Sequence, residues 1–239
     1  MDTQYFWLER EDLPAGIGFG LFTKQHVFML LLCAAVILLL VWLPDTHKRK
    51  LPYMAAALAA GNLLRDIFLM QIGRMSAAYL PLHLCSFSIF IYLLHAFLHD
   101  GKWKNALGEI GLVTLLPGAL CGVLFPNWAD YPLWNFMSLH SFLWHAVLIA
   151  YPLTLLVREK LRPQLRHLWQ SILFLILLAI PVSLINRKYG TNYLFLNWSE
   201  PGTPLEILHS LLGDAWRWGY FGMVLAVMLI TCLLERAIP

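Results

Sequence analysis

Seven apolar runs follow one another along this chain, each close to the roughly 20 residues that an α-helix needs to cross a bilayer core. They cover about 26–43, 51–72, 79–99, 106–125, 136–157, 168–186 and 215–234, with short polar punctuation between them. In hydrocarbon a backbone must satisfy its own polar groups, so such runs fold as helices. The expected fold is all-α: a polytopic membrane helix bundle of about seven transmembrane helices, forming one domain over 1–239. No repeat recurs at a fixed period. The charged fraction of 13% agrees, being about half that of a soluble domain.

Basic residues set the expected orientation. Lys48, Arg49, Lys50, Lys102, Lys104, Arg158, Lys160, Arg162, Arg166 and Arg236 fall in alternate connections or after the last run, and so share one side. Arg10, Lys24, Arg74, Arg187, Lys188 and Arg217 fall opposite, while Arg65 lies within a run. The chain is therefore expected N-terminus outside and C-terminus inside. The net charge of +3 bears on this orientation and not on nucleic acid.

The first 25 residues lack the basic start of a secretory signal, because Asp2, Glu9, Glu11 and Asp12 outnumber Arg10. They are expected as an extracytoplasmic, interfacial segment with Tyr5, Phe6 and Trp7 at the membrane surface. Trp128, Tyr131, Trp134, Tyr193, Trp198, Trp216 and Trp218 collect near the outer ends, as interfacial aromatics do. The connection 187–214 has turn signals at Gly190-Thr191-Asn192 and Pro201-Gly202, which mark an ordered extracytoplasmic loop. Leu205, Leu208, Leu211 and Leu212 predict a short amphipathic helix over Pro204–Leu212. Gly118 and Gly122 form a small-xxx-small pair that favours close packing in lipid.

Ionisable groups at membrane depth are costly and face the bundle interior. Arg65 and Asp66 in the second run are the clearest case, with Asn62 one turn before Asp66. Read plainly, they pair with other helices; read functionally, Arg65 meets a phosphate or carboxylate and Asp66 orients a histidine. In Pro81-Leu82-His83-Leu84-Cys85-Ser86, Pro81 is expected to start the third helix. Its first turn would then offer free N–H groups to an oxyanion or phosphate.

By the topology above, His83, Cys85 and His140 share the outer layer with Arg65 and Asp66. Residues two apart on a helix point about 200° from each other, so His83 is badly aimed to serve Cys85. His140, on another helix, is the better base for a thiol that must ionise to attack. The plainer alternative for Cys85 is a small buried hydrophobe. Cys121 sits in the Gly118/Gly122 face, which favours packing, with a rival nucleophile or a thiol near Cys85 as the alternative; Cys33 and Cys232 read as packing.

His95 and His99, one turn apart, are expected as a solvated interfacial pair. His140 and His145 diverge by about 140° and make no helical metal pair. A haem between His83 and His140 would leave the cysteine unexplained. No metal site is expected.

Leu80-Pro81-Leu82-His83-Leu84-Cys85, His140 with its aromatic surroundings, and Gly190-Thr191-Asn192-Tyr193-Leu194-Phe195-Leu196 followed by Pro201 together resemble the YwaF-like bacterial integral membrane proteins. That family looks related to eukaryotic transmembrane protein 164. The resemblance spans nearly the whole chain. It implies a phospholipid acyltransferase that works without coenzyme A or another cofactor, moving a fatty acyl chain from a phospholipid to a lysophospholipid through an acyl-cysteine.

Carried over, Cys85 matches the nucleophile and His140 is taken as the base, with His83 and His145 as competitors. Arg65, Asp66, His83, Asn62 and Arg74 are then expected around the substrate, with Arg65 or Arg74 on its phosphate. The expected partners are membrane phospholipids and lysophospholipids, and the expected location is the cytoplasmic (inner) membrane. A more distant likeness is to the androgen-induced lipid hydrolases. A small-amphiphile transporter, or a lipid-binding membrane protein without catalysis, is the alternative.

Overall fold

The computed structural model describes residues 3–42 and 50–237; Asp2, Lys48 and Arg49, which bear on the expected orientation, lie outside them. Among the described residues the chain is helical, without strands. The helices are α1 (Lys24–Trp42), α2 (Leu51–Gln71), α3 (Leu84–Phe97), α4 (Lys102–Leu124), α5 (Phe136–Val157), α6 (Leu168–Tyr189), α7 (Pro204–Leu212) and α8 (Trp216–Ala237). Six stretches are long and apolar enough to cross a membrane: α1, α2, α4, α5, Leu165–Tyr189 around α6, and Pro204–Arg236 around α7 and α8. The protein is thus a polytopic membrane protein. The amphipathic helix expected over Pro204–Leu212 has those bounds.

The third run behaves differently from expectation. Its helix has 14 residues, about 21 Å at 1.5 Å per residue, which is short of a hydrocarbon core of about 30 Å. Pro81 does not start it. A proline disfavours the α conformation in the residue before it, and the chain runs through a 3-10 turn, Ala77–Tyr79, into an extended His83 at the N-cap. At the other end Leu98 is extended, so His99 leaves the helix. His95 is buried, with Nδ1 2.8 Å from the Tyr151 hydroxyl, while His99 is exposed. The two do not form a solvated pair.

α5 is the axis of the bundle. Val147, Leu148 and Ala150 are fully enclosed, and α1, α2, α3 and α4 all pack against it. Close approach comes from α4, whose middle turn, Gly111–Leu115, is a π-helix. Gly118 meets Leu84 of α3, and Gly122 meets the His145 ring of α5: a Cβ on Gly122 would stand 2.7 Å from Nε2. The small-residue pair therefore admits one group from each neighbouring helix.

One end of the bundle carries a built cap. Gly190 ends α6 in the left-handed region, φ 64°, where glycine has no steric penalty. Buried Asn186 then gathers the loop: its side chain donates to the Tyr193 carbonyl at 2.8 Å, and accepts from Thr191 Oγ1 at 2.8 Å and the Tyr193 N–H at 2.9 Å. Tyr193 in turn donates its hydroxyl to the Ala77 carbonyl at 2.6 Å. Trp128, Tyr131, Tyr193 and Trp216, expected as interfacial aromatics, are buried in or under this cap. They fill it because four connections converge there and leave apolar volume between them.

Two measurements test these contacts. Gly122→Val is expected to force the His145 ring aside and destabilise the protein by about 1–3 kcal/mol, read as a lower thermal unfolding midpoint in detergent. Asn186→Ala leaves buried Tyr193 groups unpaired, at a cost of about 1–3 kcal/mol, and is expected to speed amide exchange across residues 190–198.

Candidate functional site

Cys85, Ser88, Ile89 and Tyr92 lie at the i, i+3, i+4 and i+7 spacing of one helix face, and the last three are buried. That face is turned to α5. The Tyr92 hydroxyl donates to the Leu148 carbonyl at 3.0 Å, and His95 meets Tyr151, both 56 residues on. The equal offsets mean that α3 and α5 run parallel in a fixed register. Continued toward the cap, the register puts Cys85, itself half-buried, level with Ser141, between His140 and His145.

The two histidines fan out to opposite sides. His140 is buried, with Nε2 3.1 Å from the Leu58 carbonyl of α2. A carbonyl only accepts, so Nε2 carries the hydrogen and Nδ1 the lone pair. His145 has the other tautomer. Its Nδ1–H donates to the Ser141 carbonyl at 2.7 Å, which leaves the Nε2 lone pair on the Gly122 side. Trp128 covers its ring at 4.9 Å.

His83 sits outside the helix, with its ring 4.9 Å from Tyr193 and 5.9 Å from Phe195. It is within electrostatic reach of His145. The Asn186 network thus fixes His83 through Tyr193. Because α3 begins at Leu84 with no side chain capping it, the N-terminal N–H groups of the helix lie at Leu84 and Cys85. The Ser86 N–H bonds back to the His83 carbonyl at 3.0 Å.

A charged cluster occupies the cap end of α2. Asp66 holds its neighbour Arg65 through Oδ1, 2.9 Å from Nη2 and 3.2 Å from Nε; it meets the guanidinium and not a histidine. Tyr79 lies over the guanidinium at 5.0 Å, and Glu9 of the N-terminal segment stands 4.0 Å from Nε. Arg65 reaches His140 electrostatically, and Asp66 reaches Tyr193, so this cluster and the Cys85 layer adjoin. Asn62 has a buried Oδ1 without a hydrogen-bond partner. Arg74 is drawn away from the layer, in an exposed ion pair with Asp12.

Tyr79 was not singled out by the sequence, and Glu9, Tyr131 and Tyr193 were expected at the membrane interface and not at the site; all four build this end. Tyr131 donates to Glu9 at 3.3 Å; burial and the Glu9 charge push its phenol up to about 12, so it stays a neutral donor. Tyr79 donates to Glu11 at 3.0 Å, and burial with that acceptor raises it further. The one available signal was a run of acids beside the aromatic Tyr5-Phe6-Trp7.

The other cysteines lie apart. Cys33 and Cys232 are buried, and Cys121 is exposed on α4. Among the described residues no three or more His, Cys, Asp and Glu side chains converge as a metal site.

No curated protein and no solved structure matches the chain. The model of the TMEM164 family does, over residues 21–235. That match takes in nearly every helix and the whole layer around Cys85, and the chain belongs to the TMEM164 family.

Proposed function

We propose that this protein is a phospholipid acyltransferase of the cytoplasmic membrane that works without coenzyme A, through an acyl-enzyme on Cys85. The observation that carries the reading is a half-buried thiol at an uncapped helix N-terminus, level with the gap between two histidines. The family relationship supports the same chemistry.

A thiol attacks as the thiolate. In the first half-reaction the histidine takes the Cys85 proton while sulfur adds to the ester carbonyl of a phospholipid. The developing oxyanion lies where the Leu84 and Cys85 N–H groups stabilise negative charge. Collapse breaks the carbon–oxygen bond, the histidine returns the proton to the leaving oxygen, and a lysophospholipid departs. In the second half the hydroxyl of another lysophospholipid gives its proton to the histidine and attacks the thioester. Sulfur leaves and takes that proton back from the histidine, which restores the thiol and the neutral imidazole. The thioester stores the acyl group, so atoms and charge balance without an activated donor.

His140 is assigned as the base: its register sets it level with the first turn of α3, and its Nδ1 is free. Its Nε2–H on Leu58 fixes that tautomer. A second reading gives the base to His145, which has a free Nε2 but lies about one turn deeper. Arg65, with Asp66 orienting it, is the charge placed for the lipid phosphate by a charge-assisted contact. Asn62 lies beside it, and His83 lines the approach to Cys85. Arg74 belongs to the surface pair with Asp12.

Cys85→Ala is expected to abolish transfer from phospholipid to labelled lysophospholipid, and to abolish the hydroxylamine-sensitive acyl adduct seen by intact-protein mass spectrometry, with thermal stability retained. Full transfer by purified Cys85→Ala overturns the mechanism. His140→Gln is expected to lower kcat by about 10²–10⁴-fold, and His145→Gln by less than about tenfold. The reverse order moves the base to His145.

A further inference from the structure

The N-terminal segment Thr3–Leu13 lies across the cap end and is held on both sides of Glu9. On one side Asn135 Nδ2 donates to the carbonyls of Tyr5 at 2.7 Å and Leu8 at 3.0 Å, and the Phe136 N–H donates to Phe6 at 2.9 Å. On the other, Tyr79 donates to Glu11 and Arg74 pairs with Asp12. Both of these outer contacts are exposed, where water and salt weaken ion pairs. Glu9 itself meets Arg65 at 4.0 Å, beyond hydrogen-bond length, with both side chains only 15% exposed.

Charge decides what this arrangement does. One guanidinium faces two carboxylates, Asp66 at 2.9 Å and Glu9 at 4.0 Å. A phosphate arriving there meets a net negative site unless a carboxylate withdraws. Asp66 is the next residue on the same helix and is hydrogen-bonded to the guanidinium through Oδ1. Glu9 is on a separate segment whose far anchors are exposed polar contacts.

From this we infer that Glu9 is a built-in stand-in for the substrate's anionic group: the segment Thr3–Leu13 closes over Arg65 when the site is empty and is displaced when a phosphodiester headgroup takes the Arg65 guanidinium. The inference rests on the proposed role of Arg65 and adds the residue that competes for it. Displacement frees the Glu9 carboxylate to water, ends its 3.3 Å hydrogen bond from Tyr131, and replaces its 4.0 Å ion pair with Arg65 by a phosphate contact, so the guanidinium is not left as an unpaired buried charge. The segment becomes a substrate-operated lid.

The test uses the full-length protein in an uncharged glycoside detergent, titrated with dihexanoylphosphatidylcholine as a soluble phosphodiester. Hydrogen–deuterium exchange is read over residues 3–13. In the wild type, exchange there is expected to rise with lipid. Glu9→Gln, which keeps size and loses charge, is expected to bind about five- to tenfold more tightly, to show raised exchange before lipid is added, and to lower KM for the phospholipid donor with kcat little changed. Unchanged or weaker binding by Glu9→Gln overturns the lid, provided that Arg65→Gln weakens binding. Unchanged binding by Arg65→Gln overturns the phosphate role of Arg65 itself, and the two failures are thereby distinguished. Matching thermal midpoints for wild type and Glu9→Gln show that the comparison is between folded proteins.

Discussion

The two hydrogen bonds that hold α3 in parallel register with α5, Tyr92 to Leu148 and His95 to Tyr151, set the depth of Cys85 relative to the histidines of α5. In a bundle whose outer surface faces lipid, apolar contact alone discriminates poorly between sliding positions, because lipid tails are as apolar as leucine. Buried polar pairs do discriminate: a slip of one turn would leave a phenol and an imidazole unpaired in a dry interior. Those two contacts lie one and two turns beyond Ile89, at the end of α3 away from the cap. They carry Cys85 to the level of the α5 histidines from a distance, without occupying the space between them.

The cap does the complementary work from the other direction. Leu194 and Phe195 both hold φ near 55°, a left-handed conformation that costs non-glycine residues roughly 1–2 kcal/mol each. The bonds of Asn186 and Asn192 over-determine that loop: Asn192 Oδ1 alone accepts from the N–H groups of Asn197 at 3.0 Å and Trp198 at 3.1 Å. What the strained turn delivers is a pair of rings against His83 and a hydroxyl on Ala77. The extended segment before α3 is thereby fixed, and with it the place where the helix starts.

Much of this was legible in the chain. The apolar runs gave the helices because hydrocarbon leaves the backbone few other options, and 136–157 and Pro204–Leu212 carry their expected bounds. Gly118 and Gly122 signalled a close approach, since only small residues permit one. What stayed hidden was azimuth and pairing. Hydropathy reports depth, not which way a side chain turns, so nothing marked His95 as a buried partner of Tyr151, or His140 and His145 as turned to α2 and α4. The start of α3 was misplaced because Pro81 suits either a first helical turn or the extended chain before one. Glu9 was read only as one of the acids of an interfacial N-terminal segment, because its partner, Arg65, is 56 residues away and meets it only in the folded cap.

The late start of α3 alters the chemistry more than the fold. A helix beginning at Pro81 would bury the Cys85 N–H in its second turn, bonded to a carbonyl of the turn before. Beginning at Leu84, the helix places Cys85 second, where the N–H has no intrahelical acceptor. The positive end of the helix dipole then falls on the thiol itself. In the proposed reaction that field offsets part of the cost that burial puts on ionising the thiol, and it favours an oxyanion formed beside it. On the proposed mechanism the polar end of α3 supplies part of what a base and an oxyanion hole supply elsewhere, and the start of the helix at Leu84 is what puts it there.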